Sequence, residues 1–462
     1  MKKTKIGFLP LYVELYDLTC PQMRPKIEDF NQKVIKKLQE YVDVYAAPIC
    51  RIKEEFEAAV TYFQEKQVDA VVTMHLDYSP SLESADALAK VEVPIIVLDT
   101  TCEAEFGPAQ SVDEIMYNHG IHGVQDMCNL LKRNHKLYFV EAGHWEHSDV
   151  IERVVSRANA AAMAKAFCDS RIGRVGDTFE GMGDFQVPFS ELKEKFGIDI
   201  ISYDFDWAQE KIKEITDTEI EEDISYCKEK FSVDPIEDTI WHLSEKVNLL
   251  LRKWVEQEKL DAYTVNFLAT ENQPGLPTMP FLEISRLMER GIGYAGEGDV
   301  LTAALVGALM KVYAETTFTE MFCPDWKGNS IMLSHMGEIN VALTAKTPRV
   351  VEKDFPFTSA DNPVTAYGCL KPGKAVLVDL APFGSGRYTL ILSEVEMLSV
   401  EGTDNMELSV HGWFRPIHCD ISRFLEQYSL AGGTHHLALV YNASLRELET
   451  FGEIMGFETT VI

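Results

Sequence analysis

Four short stretches in the second half of the chain carry acidic and imidazole side chains suited to metal and proton chemistry. They are GYAGEGDVLTAAL (293–305) with Glu297, ETTFTEMF (315–322) with Glu320, LSHMGE (333–338) with His335, and LAGGTHHLAL (430–439) with His435 and His436. Carboxylates and imidazoles together favour a divalent metal of the Mn, Co or Zn kind. A metal with open positions can bind two neighbouring substrate oxygens, and a carboxylate beside it can move protons.

Each of these residues also fits a purely structural interpretation. A carboxylate such as Glu297 is stabilised at a helix N-terminus, and Asp299 is expected to be the N-cap of the helix that follows. Glu320 fits a surface carboxylate, and His335 fits a core histidine on an apolar strand. The four stretches span about 140 residues, so their spacing alone does not indicate that they meet.

The adjacent histidines His435 and His436 follow a Gly-Gly turn and enter an apolar run. Successive side chains on a strand point to opposite faces. We therefore expect the two rings to have different tasks. One would face a site, while the other would pack or hydrogen-bond behind it.

Bulk composition and charge restrict the expected partners and compartment. The 462-residue chain has a formal net charge of −30 and 46% hydrophobic residues. Such a charge repels nucleic-acid phosphates and anionic membranes, so neither is an expected partner. No apolar run reaches the roughly 18 residues of a membrane span, and the first residues are interpreted as a strand rather than a signal peptide. Nine cysteines without a CxxC pair predict reduced thiols and a cytoplasmic protein.

The order of the predicted elements indicates three domains. In residues 1–170, short apolar runs alternate with amphipathic segments such as 25–41, which predicts an α/β unit with a parallel sheet covered on both faces. A second α/β unit is predicted for residues 171–320. In residues 321–462, strand-like runs separated by Gly, Pro and Asn predict a β-barrel or sandwich.

The four chemical stretches, in this order and at these separations, resemble the motifs of L-arabinose isomerase, within the larger L-arabinose/L-fucose isomerase group. AGHWEHSDVIERVVSRANAA (142–161) is similar to the family's Gly-His-Trp turn and helix, and NHGIHG (118–123) is similar to a substrate-contacting stretch. The resemblance covers most of the chain and is strongest after about residue 280. It implies two Rossmann-like α/β domains with parallel sheets, followed by a C-terminal β-barrel domain.

The resemblance also implies a Mn²⁺ site, with Co²⁺ or Mg²⁺ as alternative cations. Its ligands would be Glu297, Glu320, His335 and His436, while His435 would support the site from the other side of the strand. The implied activity is an intramolecular oxidoreduction that interconverts an aldose and its 2-ketose through a cis-enediolate. Glu297 and Glu320 would be the catalytic carboxylates, and which of them removes the C2 proton stays open.

Five further positions match places where the family contacts the sugar or lines its pocket: His122, His119, Tyr78, Phe179 and Phe267. The chain departs from the family here, since His119 replaces a glutamine and GFLPLYVELYD (7–17) replaces a Gly-Ser-Gln-type turn. The substrate therefore stays open among L-arabinose, L-fucose-like and D-galactose-like sugars and hexoses modified at C6, such as a sulfonated sugar. An anionic sugar would need a cationic partner, for which Arg24 is a candidate.

The resemblance implies self-association into a homohexamer or a smaller closed oligomer, with a small-molecule sugar as the other partner. Two other functions stay open, namely an epimerase that uses the same enediolate and a non-catalytic sugar-binding protein. A dinucleotide enzyme is disfavoured because GRVGDTFEGMG (173–183) lacks the GxGxxG spacing.

Overall fold

The described chain divides into two compact units, residues 3–165 and residues 166–462. The computed structural model describes residues 3–462. We refer to the two parts as the N-terminal unit and the C-terminal unit, and each is described by itself.

The N-terminal unit alternates strands and helices. Its strands are β1 (Lys5–Leu11), β2 (Asp43–Ala46), β3 (Ala70–His75), β4 (Ile95–Asp99) and β5 (Tyr138–Ala142). Its helices are α1 (Glu14–Thr19), α2 (Arg24–Gln39), α3 (Lys53–Lys66), α4 (Ser81–Ala89), α5 (Ile121–Arg133) and α6 (Val150–Phe167), with 3₁₀ turns at Pro21–Met23 and Val112–Tyr117. The strands form one parallel sheet in the order β2-β1-β3-β4-β5. Every residue of β3 is buried, as a strand covered on both faces requires.

The first part of the C-terminal unit is a second α/β layer. Its strands are β6 (Arg171–Val175), β7 (Asp199–Ser202), β8 (Ser232–Val233), β9 (Ala262–Val265) and β10 (Gly293–Gly296). Its helices are α7 (Phe189–Phe196), α8 (Phe205–Lys211), α9 (Asp217–Lys230), α10 (Asp238–Glu258), α11 (Phe281–Glu289) and α12 (Val300–Met310), with 3₁₀ turns at Ile212–Glu214 and Phe267–Thr270. Four of these strands form a parallel sheet in the order β10-β9-β6-β7. Loops at the carboxyl ends of β6, β9 and β10 therefore lie at one edge of this sheet.

The remainder of the C-terminal unit is built around a closed barrel. Its strands are β11 (Thr316–Asp325), β12 (Ser330–His335), β13 (Arg349–Glu352), β14 (Val364–Cys369), β15 (Gly373–Pro382), β16 (Tyr388–Met397), β17 (Val410–Pro416), β18 (His436–Tyr441) and β19 (Glu458–Val461). Its helices are α13 (Ile421–Leu430) and α14 (Leu445–Met455), with a 3₁₀ turn at Val341–Leu343. The ring β16-β15-β18-β11-β12-β17 is antiparallel throughout and closes because β17 also pairs with β16. Closure leaves the ring without an unpaired sheet edge.

The predicted fold class, two parallel α/β sheets followed by a β-barrel, is confirmed. The boundary predicted at residue 320 falls inside β11, and the division into three domains stays a prediction. Among the described residues, no helix combines the length and apolar character needed to cross a bilayer.

A buried histidine in the N-terminal unit leads to a test of acid stability. His75 is 2% exposed, and neither ring nitrogen has a hydrogen-bond partner among the described residues. Burial lowers the pKa of His75 to about 3. Below pH 6.5, about the ordinary pKa of histidine, the unfolded chain therefore binds a proton at His75 that the folded chain does not bind. The unfolding free energy then falls by about 1.4 kcal/mol per pH unit from pH 6.5 toward pH 3.

Between pH 7.5 and 5.5, the unfolding free energy of His75→Leu should fall by about 1 kcal/mol less than that of the wild type. Urea unfolding of the full chain at the two pH values measures this difference. His135→Asn provides the control, since it removes a histidine that is exposed rather than buried. An unchanged pH dependence in His75→Leu would contradict a neutral buried imidazole.

Candidate active site

The four predicted ligand side chains meet in the C-terminal unit. Glu297 directly follows β10, and the other three are Glu320 on β11, His335 at the end of β12 and His436 at the start of β18. The barrel register brings them together, because Glu320 lies opposite His436 on one side and opposite Ser334, the neighbour of His335, on the other.

The atoms facing one another in this cluster are carboxylate oxygens and imidazole Nε2 atoms. His436 Nε2 lies 3.0 Å from Glu320 Oε1 and 3.5 Å from Glu297 Oε2. His335 Nε2 lies 3.3 Å from Glu320 Oε1. All four residues are largely buried, and the His436 side chain is fully so. Carboxylate oxygens and imidazole nitrogens of this kind are suitable ligands for a divalent cation.

The expected position of His435 is wrong. Instead of turning to the other side of the strand, its Nε2 lies 3.8 Å from Glu297 Oε2 and 4.0 Å from Glu320 Oε1. The physical reason is that β18 begins at His436, so His435 lies in the preceding turn, where strand alternation does not apply. With Glu297, Glu320 and His436, it offers ligand atoms that all lie within 4.8 Å of one another. Its supporting role stays a prediction.

Each of the three histidines has a carboxylate on its Nδ1 atom. The pairs are Glu338 with His335 (2.6 Å), Asp299 with His436 (2.9 Å) and Asp184 with His435 (2.7 Å). Such a partner fixes the ring orientation and leaves Nε2 for the centre of the site. Asp299 is also the predicted N-cap of α12, since its other oxygen accepts the Thr302 N–H at 2.9 Å.

Sequence reasoning missed the contribution of the loop between β6 and α7. Besides pairing with the His435 ring, Asp184 accepts the His435 backbone N–H at 2.9 Å. Phe185 is 3% exposed and stacks on His436 with ring centroids 4.8 Å apart and planes at 7°. Asp184 and His435 lie 251 residues apart, so no local sequence signal points to this pairing.

Glu297 is held in an uncommon backbone conformation. Its φ is +61°, in the left-handed region, and Gly298 follows with φ of +83°. The turn is fixed from both sides, because the Glu297 N–H donates to Val265 O and the Gly298 N–H donates to Thr264 Oγ1, both at 2.9 Å. A non-glycine residue in this region costs on the order of 1 kcal/mol or more and often marks a functional position.

Alanine substitutions at two glycines with similar φ should differ in their effect on stability. At Gly298 an added Cβ would lie 2.5 Å from Thr178 Cα, whereas at Gly291, with φ of +86°, no described heavy atom lies within 4 Å. We expect Gly298→Ala to lower the unfolding free energy by about 2 to 4 kcal/mol and Gly291→Ala by about 1 kcal/mol. Urea unfolding measures both, and equal losses would contradict the close packing at Gly298.

The carboxylates of the cluster are ionised. Burial disfavours the charged form of Glu297, yet the neighbouring imidazoles of His435 and His436 outweigh burial and lower its pKa to about 2. Burial likewise opposes the charge of Glu320, but the neighbouring imidazoles of His335 and His436 lower its pKa well below the usual range. Ionised carboxylates are the form that binds a cation.

The imidazoles of the cluster hold protons tightly. Burial disfavours the charged form of His335, but Glu338 and Glu320 outweigh burial and raise its pKa to about 10. The hydrogen bond with Asp184 raises the pKa of His435 to about 9. A cation that binds His335 must therefore displace a proton from the ring.

Two buried atoms of the cluster are suited to contact a cation. Glu297 Oε2 and His436 Nε2 are both buried and form no hydrogen bond with any described residue. Buried polar atoms without partners are rare in folded proteins and need an explanation such as a bound ion. The residues present therefore fit a divalent cation.

Comparisons with known proteins identify the family of this chain. A family model for the L-arabinose isomerase central domain matches residues 171–316, and one for the L-arabinose isomerase C-terminal domain matches residues 315–458. The chain belongs to the L-arabinose isomerase family. The expected enzyme class, an aldose–ketose isomerase, is thereby confirmed.

Similar members of the L-arabinose isomerase family come from several bacteria. An L-arabinose isomerase of Geobacillus kaustophilus is 29% identical over 86% of this chain and 81% of the relative. Those of Geobacillus stearothermophilus and Thermotoga petrophila are 26% and 25% identical, covering 95% and 100% of this chain and 90% and 94% of the relatives. A periplasmic sugar-binding protein from Legionella pneumophila is 11% identical, covering 67% of this chain and 94% of that chain, but its TM-score of 0.16 is too low to bear on fold or function.

Two predicted pocket residues lie beside the cluster of this L-arabinose isomerase family member. The Phe179 N–H donates to Glu297 O at 2.9 Å, and the Phe179 and Phe267 ring centroids are 5.6 Å apart. Phe267 also contacts Phe357, at 5.9 Å between centroids. An aromatic wall therefore adjoins the Glu297 turn, while its contact with a sugar stays a prediction.

The other three predicted sugar contacts form a separate group in the N-terminal unit. His122 stacks between Tyr78 and His119, with centroid distances of 4.8 and 5.0 Å. The Asp77 carboxylate, 2.7 Å from His119 Nδ1, raises the pKa of His119. Tyr16 OH lies 3.1 Å from His119 Nε2.

Arg24, the candidate partner for an anionic sugar, is already paired. Its guanidinium lies 2.8 Å from Asp17 and 3.0 Å from Glu28. Asp17 also pairs with Arg51 at 2.9 Å. The paired state of Arg24 gives no support to the anionic-sugar interpretation.

Proposed function

We propose that this chain is a divalent-metal-dependent isomerase that interconverts an open-chain aldose and its 2-ketose through a cis-enediolate. The proposal is supported by the closeness of Glu320 to His335 and His436 and of Glu297 to His436, together with two buried atoms, Glu297 Oε2 and His436 Nε2, that have no hydrogen-bond partner among the described residues. Mn²⁺ is the proposed cation, with Co²⁺ and Mg²⁺ as alternatives.

The proposed role of each side chain in the reaction follows from its chemistry. When bound, the cation would supply positive charge that stabilises negative charge developing on the sugar oxygens. One of Glu297 and Glu320 removes the C2 proton, exchanges it with solvent and delivers a proton to C1, while the other moves the hydroxyl proton from O2 to O1. Glu338 and Asp299 keep His335 and His436 in the ligand orientation.

Tyr78, His119 and His122 of the N-terminal unit are proposed to contact hydroxyl groups of a sugar. Stacked rings and hydrogen-bonding nitrogens suit a polyhydroxylated, partly apolar surface. L-Arabinose is the first sugar to test, because the curated relatives are named for it. L-Fucose, D-galactose and a sulfonated hexose are the other candidates. Self-association into a homohexamer or a smaller closed oligomer is also proposed.

The experiment is incubation with these sugars and Mn²⁺ in D₂O, followed by NMR of the products. The proposal expects one aldose to yield its ketose, with deuterium from solvent at the carbon that receives the proton. Ketose without any deuterium would contradict the proton-transfer route, and an epimer as the product would identify an epimerase. Absence of turnover with every sugar would contradict the proposed substrate class.

A further inference from the structure

A buried carboxylate of the barrel, Asp379 on β15, is hydrogen-bonded to the turn that precedes His435 and His436. It is 1% exposed and accepts three hydrogen bonds, each 2.8 Å long. The donors are the Tyr428 hydroxyl, the Thr434 backbone N–H and the Thr434 hydroxyl. Burying a carboxylate is costly unless it is well hydrogen-bonded, so its place in the barrel needs a reason.

The Asp379 carboxylate links β15 to the chain before β18, beyond the point where the backbone pairing of the two strands ends. The pairing of β15 with β18 runs from Ala375 opposite Tyr441 to Val378 opposite Ala438. Beyond Ala438, the chain toward His436 is paired with β11 but not with β15. Asp379, the next residue of β15, binds Thr434 instead and anchors this end of β18.

Tyr428 closes the turn from the other side. The Gly433 N–H donates to Tyr428 O at 3.0 Å, and an added Cβ at Gly433 would lie 2.3 Å from the Tyr428 ring. No side chain fits at position 433, so the turn packs directly on the ring. Asp379 and Tyr428 together fix the backbone immediately before His435.

We infer that Asp379 is a positioning residue for the metal cluster: through Thr434 it holds the backbone from which His435 and His436 reach Glu297 and Glu320. The inference rests on the proposed function, since it assigns Asp379 a role in cation affinity. Partners one step removed from a ligand commonly change metal affinity by about 10- to 100-fold when they are replaced.

Calorimetric titration of the full-length protein with Mn²⁺ tests the inference. Asp379→Asn should raise the Kd for Mn²⁺ by about 10- to 100-fold, and kcat should return to within about two-fold of wild type once Mn²⁺ saturates the variant. Asp223→Asn is the matched control. Asp223 is a buried aspartate paired with Arg286 and Arg252, and its loss should lower the melting temperature without changing the Kd.

A second variant keeps the inference testable if Asp379→Asn does not fold. Thr434→Val removes one donor to Asp379 with little change in volume and should raise the Kd several-fold, by about 3 to 10 times. Unchanged affinity in a folded Asp379→Asn protein, or in Thr434→Val when that protein alone folds, would overturn the inference and leave the proposed function standing. A wild-type protein that binds no Mn²⁺ would overturn both.

Discussion

Replacing Glu320 by glutamine is expected to lower kcat by about 10³-fold or more at saturating Mn²⁺. Glu320 Oε1 is the oxygen nearest to both His335 Nε2 and His436 Nε2, at 3.3 and 3.0 Å. A carboxamide keeps the volume but carries no negative charge, so it binds a cation weakly and cannot accept a proton. The same replacement at Glu297 should have an effect of similar size.

The measurement is initial-rate kinetics on the sugar that the D₂O experiment identifies, with circular dichroism to confirm folding. Glu396→Gln is the matched control, because Glu396 is an exposed glutamate on the barrel strand β16. It should leave kcat within about two-fold of wild type. Activity of Glu320→Gln within about ten-fold of wild type would remove Glu320 from the proton transfer.

Replacing His436 by alanine should raise the Kd for Mn²⁺ by about 100-fold or more, whereas His435→Ala should raise it by less than about ten-fold. The His436 side chain is fully buried, and its Nε2 lies 3.0 Å from Glu320. The His435 side chain is 39% exposed, and its Nε2 lies no closer than 3.8 Å to either carboxylate. Loss of the buried ring also leaves Asp299 without its imidazole partner.

This comparison decides between two assignments of the adjacent imidazoles. Both lie near the carboxylates, so proximity alone does not distinguish a ligand from a supporting residue. Titration of each variant with Mn²⁺ gives the order directly. A larger loss of Mn²⁺ affinity in His435→Ala than in His436→Ala would assign the ligand role to His435 and overturn the ligand set taken from the family motifs.

Local sequence patterns were enough to predict the strands and helices, but they could not predict the contacts within the metal cluster. Alternating apolar runs predicted the parallel sheets, because strands covered on both faces are apolar throughout, as β3 is. Asp299 was predictable as an N-cap, since capping depends on residues within one turn. Its second contact, to His436, joins positions 137 residues apart and depends on how the barrel meets the parallel sheet.

The position of His435 shows where a local rule fails. Strand alternation depends on the residue lying within the strand, and β18 begins one residue later. Asp184 could not be predicted for a different reason, because it lies in a loop whose path is set by tertiary packing. The four ligand candidates came from motif resemblance, which carries tertiary information that spacing alone lacks.

One divalent cation is proposed to bind among Glu297, Glu320, His335 and His436. Anomalous diffraction from a crystal of the full chain soaked in Mn²⁺ locates the bound ion. We expect a single strong peak at coordination distance from all four side chains. A peak elsewhere in the chain, or a peak contacting fewer than three of the four, would contradict it.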